Sequence, residues 1–265
     1  MSRHLSLGML SAPSATALLA VCYVAHAGVD APPAPPALPM TDMSYRDMAD
    51  LMAMDDSAAL GKLMIDQLEL EADPERTTLS WDAQGWYGTD YDKLWLKSEG
   101  APSASGAPAG RNELLWDRII TRWWSLQAGL RYDLGQGPAR GWAAAELEGL
   151  APYRFQLEAA LYLGDAGQTA GRLRAERDLL VTQRFIVQPE LEADLYGRSD
   201  PARQLGAGLS DLQLALRARY EIRREFAPYI GLAWRREFGG TAQFARADGG
   251  DASALEWVAG LHLWF

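Results

Sequence analysis

The chain is poor in the side chains that most often carry chemistry. Of its 265 residues one is cysteine and three are histidine. Cys22 lies in the apolar amino-terminal stretch, so loss of that stretch as a leader leaves no thiol. A disulfide framework and a cysteine zinc site are then both excluded. His4 and His26 fall in the same stretch, which leaves His262 as the imidazole of the mature chain. A Ser-His dyad or an Asp-His pair would have to be built on it, and no serine-containing motif accompanies it. No glycine loop of the P-loop form occurs either. The sequence is expected to encode a non-enzyme.

Long apolar runs are also missing. Beyond the first thirty positions nothing approaches the roughly 20 consecutive apolar residues of a membrane-crossing helix. Near-neutral mean hydropathy excludes a helical membrane protein but not a β-barrel, whose alternating strands average out. Positive charge is scarce as well. The formal net charge is −10, and removal of Arg3 with the leader makes it one unit more negative. That argues against nucleic acid as a partner and is compatible with binding cations.

The first 27 residues read as a secretory leader. Arg3 gives a weak positive start, Leu5 to Val24 is apolar apart from Pro13, and Ala25-His26-Ala27 has the small-x-small form of a cleavage site before Gly28. Residues 28–61 follow as a separate segment. Pro32, Pro33, Pro35, Pro36 and Pro39 forbid a ladder or a helix, so an extended linker is expected. Met40, Met43, Met48, Met52 and Met54 then alternate with Asp42, Asp47, Asp50, Asp55 and Asp56. This acidic stretch has too little apolar content to form a core, and disorder is expected.

From residue 62 to the end the pattern has a period of two. Leu255, Trp257, Ala259, Leu261, Leu263 and Phe265 occupy every second position up to the last residue. Such alternation describes a strand with one greasy face. Leu126 to Leu134, Phe155 to Leu163, Leu191 to Leu195 and Leu212 to Tyr220 repeat it against rows of long charged side chains. A helix would scatter these apolar sets round its axis. A soluble sandwich shares the alternation. Connector length favours a membrane barrel, because long and short joins alternate along the chain, as extracellular loops and periplasmic turns do. A terminal aromatic such as Phe265 suits the interfacial girdle of such barrels. Met64 to Glu71 supplies a first strand, with Met64, Leu68 and Leu70 assigned to the greasy face. The fold class expected is all-β: a closed antiparallel transmembrane β-barrel of about twelve strands, preceded by a disordered Pro/Met-rich segment. The lipid bilayer of the outer membrane is the expected surrounding, with the amino-terminal segment in the periplasm.

Several segments are more distinctive than a generic barrel. They include Trp81-Asp82-Ala83-Gln84-Gly85-Trp86-Tyr87-Gly88, Asp92-Lys93-Leu94-Trp95-Leu96-Lys97-Ser98-Glu99-Gly100 and Leu195-Tyr196-Gly197-Arg198-Ser199-Asp200-Pro201. The longest is Arg219-Tyr220-Glu221-Ile222-Arg223-Arg224-Glu225-Phe226-Ala227-Pro228-Tyr229. Together they resemble the copper resistance protein B family of bacterial outer-membrane proteins, over roughly Leu63 to Phe265. The resemblance implies an outer-membrane barrel that serves copper tolerance by binding or export. It also implies periplasmic copper-resistance partners such as a multicopper oxidase. Family members commonly carry a long Met- and His-rich run before the barrel. Here that run is short and has no histidine.

The thioethers of Met40, Met43, Met48, Met52 and Met54 are soft ligands that favour Cu(I) over hard cations. Copper, Cu(I) preferred, is therefore the ion expected, bound rather than catalytic. His262 is expected to point inward and is a further candidate ligand. Glu146, Glu148, Glu158, Glu176, Asp178, Glu190, Glu192, Asp194, Asp211 and Glu256 are expected in the lumen. Arg131, Arg154, Arg172, Arg174, Arg217 and Arg219 are assigned to the same face. Mixed charges on neighbouring strands should pair and fill a narrow lumen. The alternative is a path for cations, or a general small-solute channel with an incidental methionine tail.

Overall fold

The computed structural model describes residues 58–72, 77–102, 108–135 and 137–265. The expected leader, the proline-rich stretch and the five methionines from Met40 to Met54 lie outside them. Thirteen β segments follow one another: β1 (Leu60–Ala72), β2 (Thr77–Gly88), β3 (Asp92–Pro102), β4 (Pro108–Ile119), β5 (Trp124–Leu134), β6 (Arg140–Ala151), β7 (Phe155–Gly164), β8 (Thr169–Glu176), β9 (Leu179–Leu180), β10 (Phe185–Tyr196), β11 (Gly208–Tyr220), β12 (Phe226–Glu237) and β13 (Ser253–Trp264). β8 and β9 both pair with β10 and form one stave interrupted at Arg177 and Asp178. Every other neighbour in sequence pairs antiparallel, and β13 returns to pair with β1. The result is a closed barrel of twelve staves, whose backbone groups pair within the sheet as a bilayer requires, with Leu179–Leu180 paired on one side only.

Most staves have 10–13 residues, the length a tilted strand needs to cross a bilayer. Side chains alternate as the period of two requires. Along β5, Leu126, Leu130, Tyr132 and Leu134 are exposed, while Gln127, Arg131 and Asp133 are buried. The polarity is thus the reverse of a soluble protein: apolar residues face outward and charged residues face inward. Leu130 is 65% exposed and Arg217 is 2% exposed. Large outward apolar side chains on nearly every stave form the belt that lipid covers.

Leu60 and Phe265 lie at one end of the barrel, joined by reciprocal backbone hydrogen bonds between Leu63 and Phe265 of 2.8 and 3.0 Å. This terminal rim carries a ring of exposed aromatics: Tyr87, Tyr91, Trp116, Trp123, Tyr153, Phe155, Tyr220 and Phe265. Amphipathic aromatics concentrate where a membrane meets water.

Two local expectations are corrected, and one long connector contains a helix. Arg154 does not face the lumen. The β6–β7 ladder closes at the Ala151–Phe155 pair, so Pro152–Arg154 form a turn outside it, with Arg154 exposed at φ 62°. Met64 does not join Leu68 and Leu70 on the lipid face. The pairing of β1 shifts between Ile65 and Gln67, and this bulge at Asp66 reverses the phase. Met64 therefore lines an internal cavity. The long connector before β13 is not wholly irregular. It contains a helix, α1 (Gly239–Ala247), whose Thr241 and Ala245 line the lumen at the rim opposite the termini. Gly206 and Gly240 make this close approach possible, since a Cβ on Gly206 would lie 2.5 Å from the Thr241 nitrogen. Thr241 Oγ1 accepts from the Gly206 N–H at 2.8 Å and lies 2.9 Å from Ser210 Oγ.

Candidate functional site

The lumen collects the charged rows of all twelve staves. Its centre is a cluster that spans the barrel. From β11, Arg217 donates through Nε to Glu69 at 2.8 Å on β1 and through Nη1 to Glu190 at 2.5 Å on β10. Its Nη2 donates to Gln67 at 3.1 Å. Gln67 Nε2 donates in turn to Glu190 at 3.2 Å. Arg174 on β8 lies 3.3 Å from Glu190 and donates to Asp82 on β2 at 2.7 Å. Staves β1 and β2 are thereby tied to β8, β10 and β11 across the interior.

Further pairs fill the remaining wall. Arg172 bridges Glu99 and Glu192, each at 2.7 Å. Lys97 reaches Glu146 at 3.0 Å, Glu158 at 3.1 Å and Glu148 at 3.5 Å. Arg131 holds Asp133 through two parallel hydrogen bonds of 2.7 and 3.0 Å and stacks 4.3 Å from the Tyr162 ring. Tyr162 donates to Glu113 at 2.9 Å. Hydrogen bonds between ionised groups are about twice as strong as neutral ones, and paired forks fix their geometry. The charge rows read from the sequence are therefore largely a packing device. Carboxylates still outnumber cations at several points, as the three around Lys97 illustrate.

Two of the lumen cavities lie on either side of the central cluster. One of about 450 Å³ lies toward α1 and is walled by Glu71, Glu99, Arg172, Asp211 and Arg235 among others. The second, of about 360 Å³, lies toward the terminal rim and is walled by Lys62, Met64, Asp66, Asp178, Arg219 and His262 among others. Gln67 and Arg174 line both.

His262 faces inward, as its place in β13 requires. Its Nδ1 lies 3.2 Å from the Asp66 carbonyl oxygen and 3.7 Å from the Asp66 carboxylate. Among the described residues no three His, Cys, Asp or Glu side chains are grouped to hold a metal ion. Met64, which lines the same cavity as His262, is a potential ligand that the sequence pattern misplaced. A signal for it exists: polar residues fall on even positions at Lys62 and Asp66, then on odd ones at Gln67, Glu69 and Glu71, and such a phase change marks a bulge.

A closed antiparallel barrel with an apolar outer belt and a charged interior defines this chain as a transmembrane β-barrel protein. Residues 59–265 match the family described as "Copper resistance protein B precursor (CopB)". The chain is 41% identical over 213 residues to "Copper resistance protein B" of Escherichia coli, covering 80% of this chain and 72% of that protein. It is 42% identical over 210 residues to "Copper resistance protein B homolog" of Pseudomonas syringae pv. tomato, covering 79% and 71%. The chain belongs to the copper resistance protein B family. Among solved structures, a NanC porin aligns with a TM-score of 0.49 at 9% identity, over 77% of this chain and 99% of that one.

Proposed function

We propose that this protein supports copper tolerance from the outer membrane. In this reading the barrel anchors the chain, and the methionine-rich segment preceding β1 in the sequence binds Cu(I) at the periplasmic face. The family match across the whole barrel carries the proposal. The chemistry of the segment fits it. Met40, Met43, Met48, Met52 and Met54 offer neutral thioethers, which prefer Cu(I) and release no protons on binding. The chain acts as a binder and not as an enzyme, and its partners are periplasmic copper-resistance proteins such as a multicopper oxidase. The Arg217–Glu190–Arg174 cluster supports this over a general solute channel, because it lies across the path between the two cavities.

The test compares the full chain with one lacking Met40 to Met54. Copper-dose survival and bound copper per purified protein should both fall in the shortened chain, with unchanged amounts in the outer membrane. Equal survival and equal copper content would remove the segment from the mechanism. Conductance of the full chain in planar bilayers should stay near the baseline, and a steady open channel would favour the solute-channel reading.

A further inference from the structure

The cavity at the terminal rim holds a pair of soft-metal donors that the bulge in β1 creates. The ladder pairs Met64 with Trp264 and Ile65 with Leu263, then resumes at Leu68 with Leu261. Asp66 and Gln67 together therefore face His262. Met64 and His262 become diagonal neighbours on the lumen side, a relation that leaves roughly 7–8 Å between backbones and lies within reach of long side chains. Both line the same cavity of about 360 Å³.

The imidazole is held in the form a metal needs. The Asp66 carbonyl oxygen can only accept, so at 3.2 Å the His262 Nδ1 must be the donor. In the neutral ring the lone pair then belongs to Nε2. Metal-binding histidines are commonly fixed in this way, by a backbone carbonyl on the other nitrogen. The Asp66 carboxylate, which accepts from Gln84 Nε2 at 2.5 Å, adds negative charge beside the pair. The cations in the same wall each have a partner: Arg219 donates to Asp178 at 2.9 Å, Arg174 donates to Asp82 at 2.7 Å, and Lys62 lies 4.9 Å from the Trp264 ring.

We infer that Met64 and His262 form a binding site for one soft monovalent metal ion inside the mouth of the barrel, through the Met64 thioether and His262 Nε2. The thioether favours Cu(I) and its surrogate Ag(I) over hard cations, and imidazole also suits copper. The choice of copper rests on the proposed function, but the site is separate from the methionine segment and is tested separately.

The experiment uses the full chain with Met40, Met43, Met48, Met52 and Met54 all changed to Leu, titrated with Cu(I) against a Cu(I) chelator of known affinity. This chain should still hold one Cu(I). Adding Met64→Leu or His262→Gln should weaken that binding by more than tenfold, since even outer partners of metal ligands contribute roughly 10–100-fold. Met64→Leu conserves volume, and heat-modifiable migration checks that each variant is folded. Nitrogen-15 NMR of His262 with Ag(I) should shift Nε2 while Nδ1 keeps its proton. Loss of all Cu(I) binding in the five-Leu chain overturns the inference. So does binding that survives both added substitutions, or a shift at Nδ1 in place of Nε2. Undiminished total binding in the five-Leu chain, sensitive to Met64 and His262, would refute the methionine segment and leave the lumen site standing.

Discussion

Replacing Arg217 by Met should cost the barrel several kilocalories per mole, and the structure identifies which partner sets the cost. Arg217 and Glu69 have side chains 2% and 1% exposed, and Glu190 is 3% exposed. Without the guanidinium, Glu190 still has Arg174 at 3.3 Å and the Gln67 amide at 3.2 Å. Among the described residues Glu69 forms no ion pair other than that with Arg217, so its buried carboxylate is left without a compensating cation. Breaking a buried pair in this way costs about 3–5 kcal/mol, whereas exchanging both partners for apolar groups is often neutral. The double variant Arg217→Met with Glu69→Leu should therefore regain most of the loss. Denaturant unfolding in detergent, followed by the fluorescence of the tryptophans, measures the two midpoints and the coupling between them. Arg217→Met at the wild-type midpoint, or a double variant as unstable as the single one, would refute the reasoning and point to a hydrated lumen in which such pairs contribute little.

Leu130→Arg sets a charge on the 65% exposed outer face and should reduce insertion into vesicles, at a cost of about 2–4 kcal/mol near the bilayer midplane. Deleting Phe265 removes an aromatic of the terminal rim and the backbone pairing with Leu63. Outer-membrane assembly should slow while secretion continues, and a normal yield of heat-modifiable protein would contradict this. Gly206→Val forces a Cβ against the Gly240 and Thr241 backbone. It should displace α1 and raise protease sensitivity in Gly239–Ala247 without unfolding the barrel.

The sequence showed the barrel clearly because two independent regularities agreed. Alternation in stretches such as Leu126–Leu134 fixed strand and face together, and the parity of the connectors fixed closure. It was less informative wherever the chain leaves the ladder. Arg154 continues the period of β7 in the sequence, yet it belongs to a three-residue turn. Gly239–Ala247 holds good helix formers in Ala242, Gln243, Ala245, Arg246 and Ala247, but the glycines that flank them mark a loop, and the helix meets the rim through the Gly206–Thr241 hydrogen bond. Met64 was misassigned because one extra residue at Asp66 turns every earlier side chain to the opposite face. Which acid meets which base was not legible at all. Arg217 and Glu69 are 148 positions apart, and their meeting depends on barrel closure and stagger, which no local pattern encodes.

Two kinds of donor occur in this chain, and their difference in softness determines where discrimination between metals can arise. The lumen offers carboxylates, as in the groups around Lys97 and Arg172. These attract any cation, and where they meet water the attraction is screened within about 8–10 Å at physiological salt. Most thioethers belong to Met40 to Met54, which precede the barrel in the sequence, while Met64 shares the terminal-rim cavity with Asp66, Glu148 and Glu158. The preference of thioethers for Cu(I) comes from softness and not from charge, so salt does not screen it. Cu(I) binding by the full chain should thus persist as salt is raised, while any association of Cu(II) or Zn(II) with the acidic surface should fade. Changing Met43, Met48 and Met52 together to Leu keeps size and removes sulfur. It should lower Cu(I) affinity and leave the salt-sensitive Cu(II) component unchanged. Unchanged Cu(I) affinity, or an equal loss of Cu(I) and Cu(II) binding in equilibrium dialysis, would mean that thioether softness does not discriminate between the two ions.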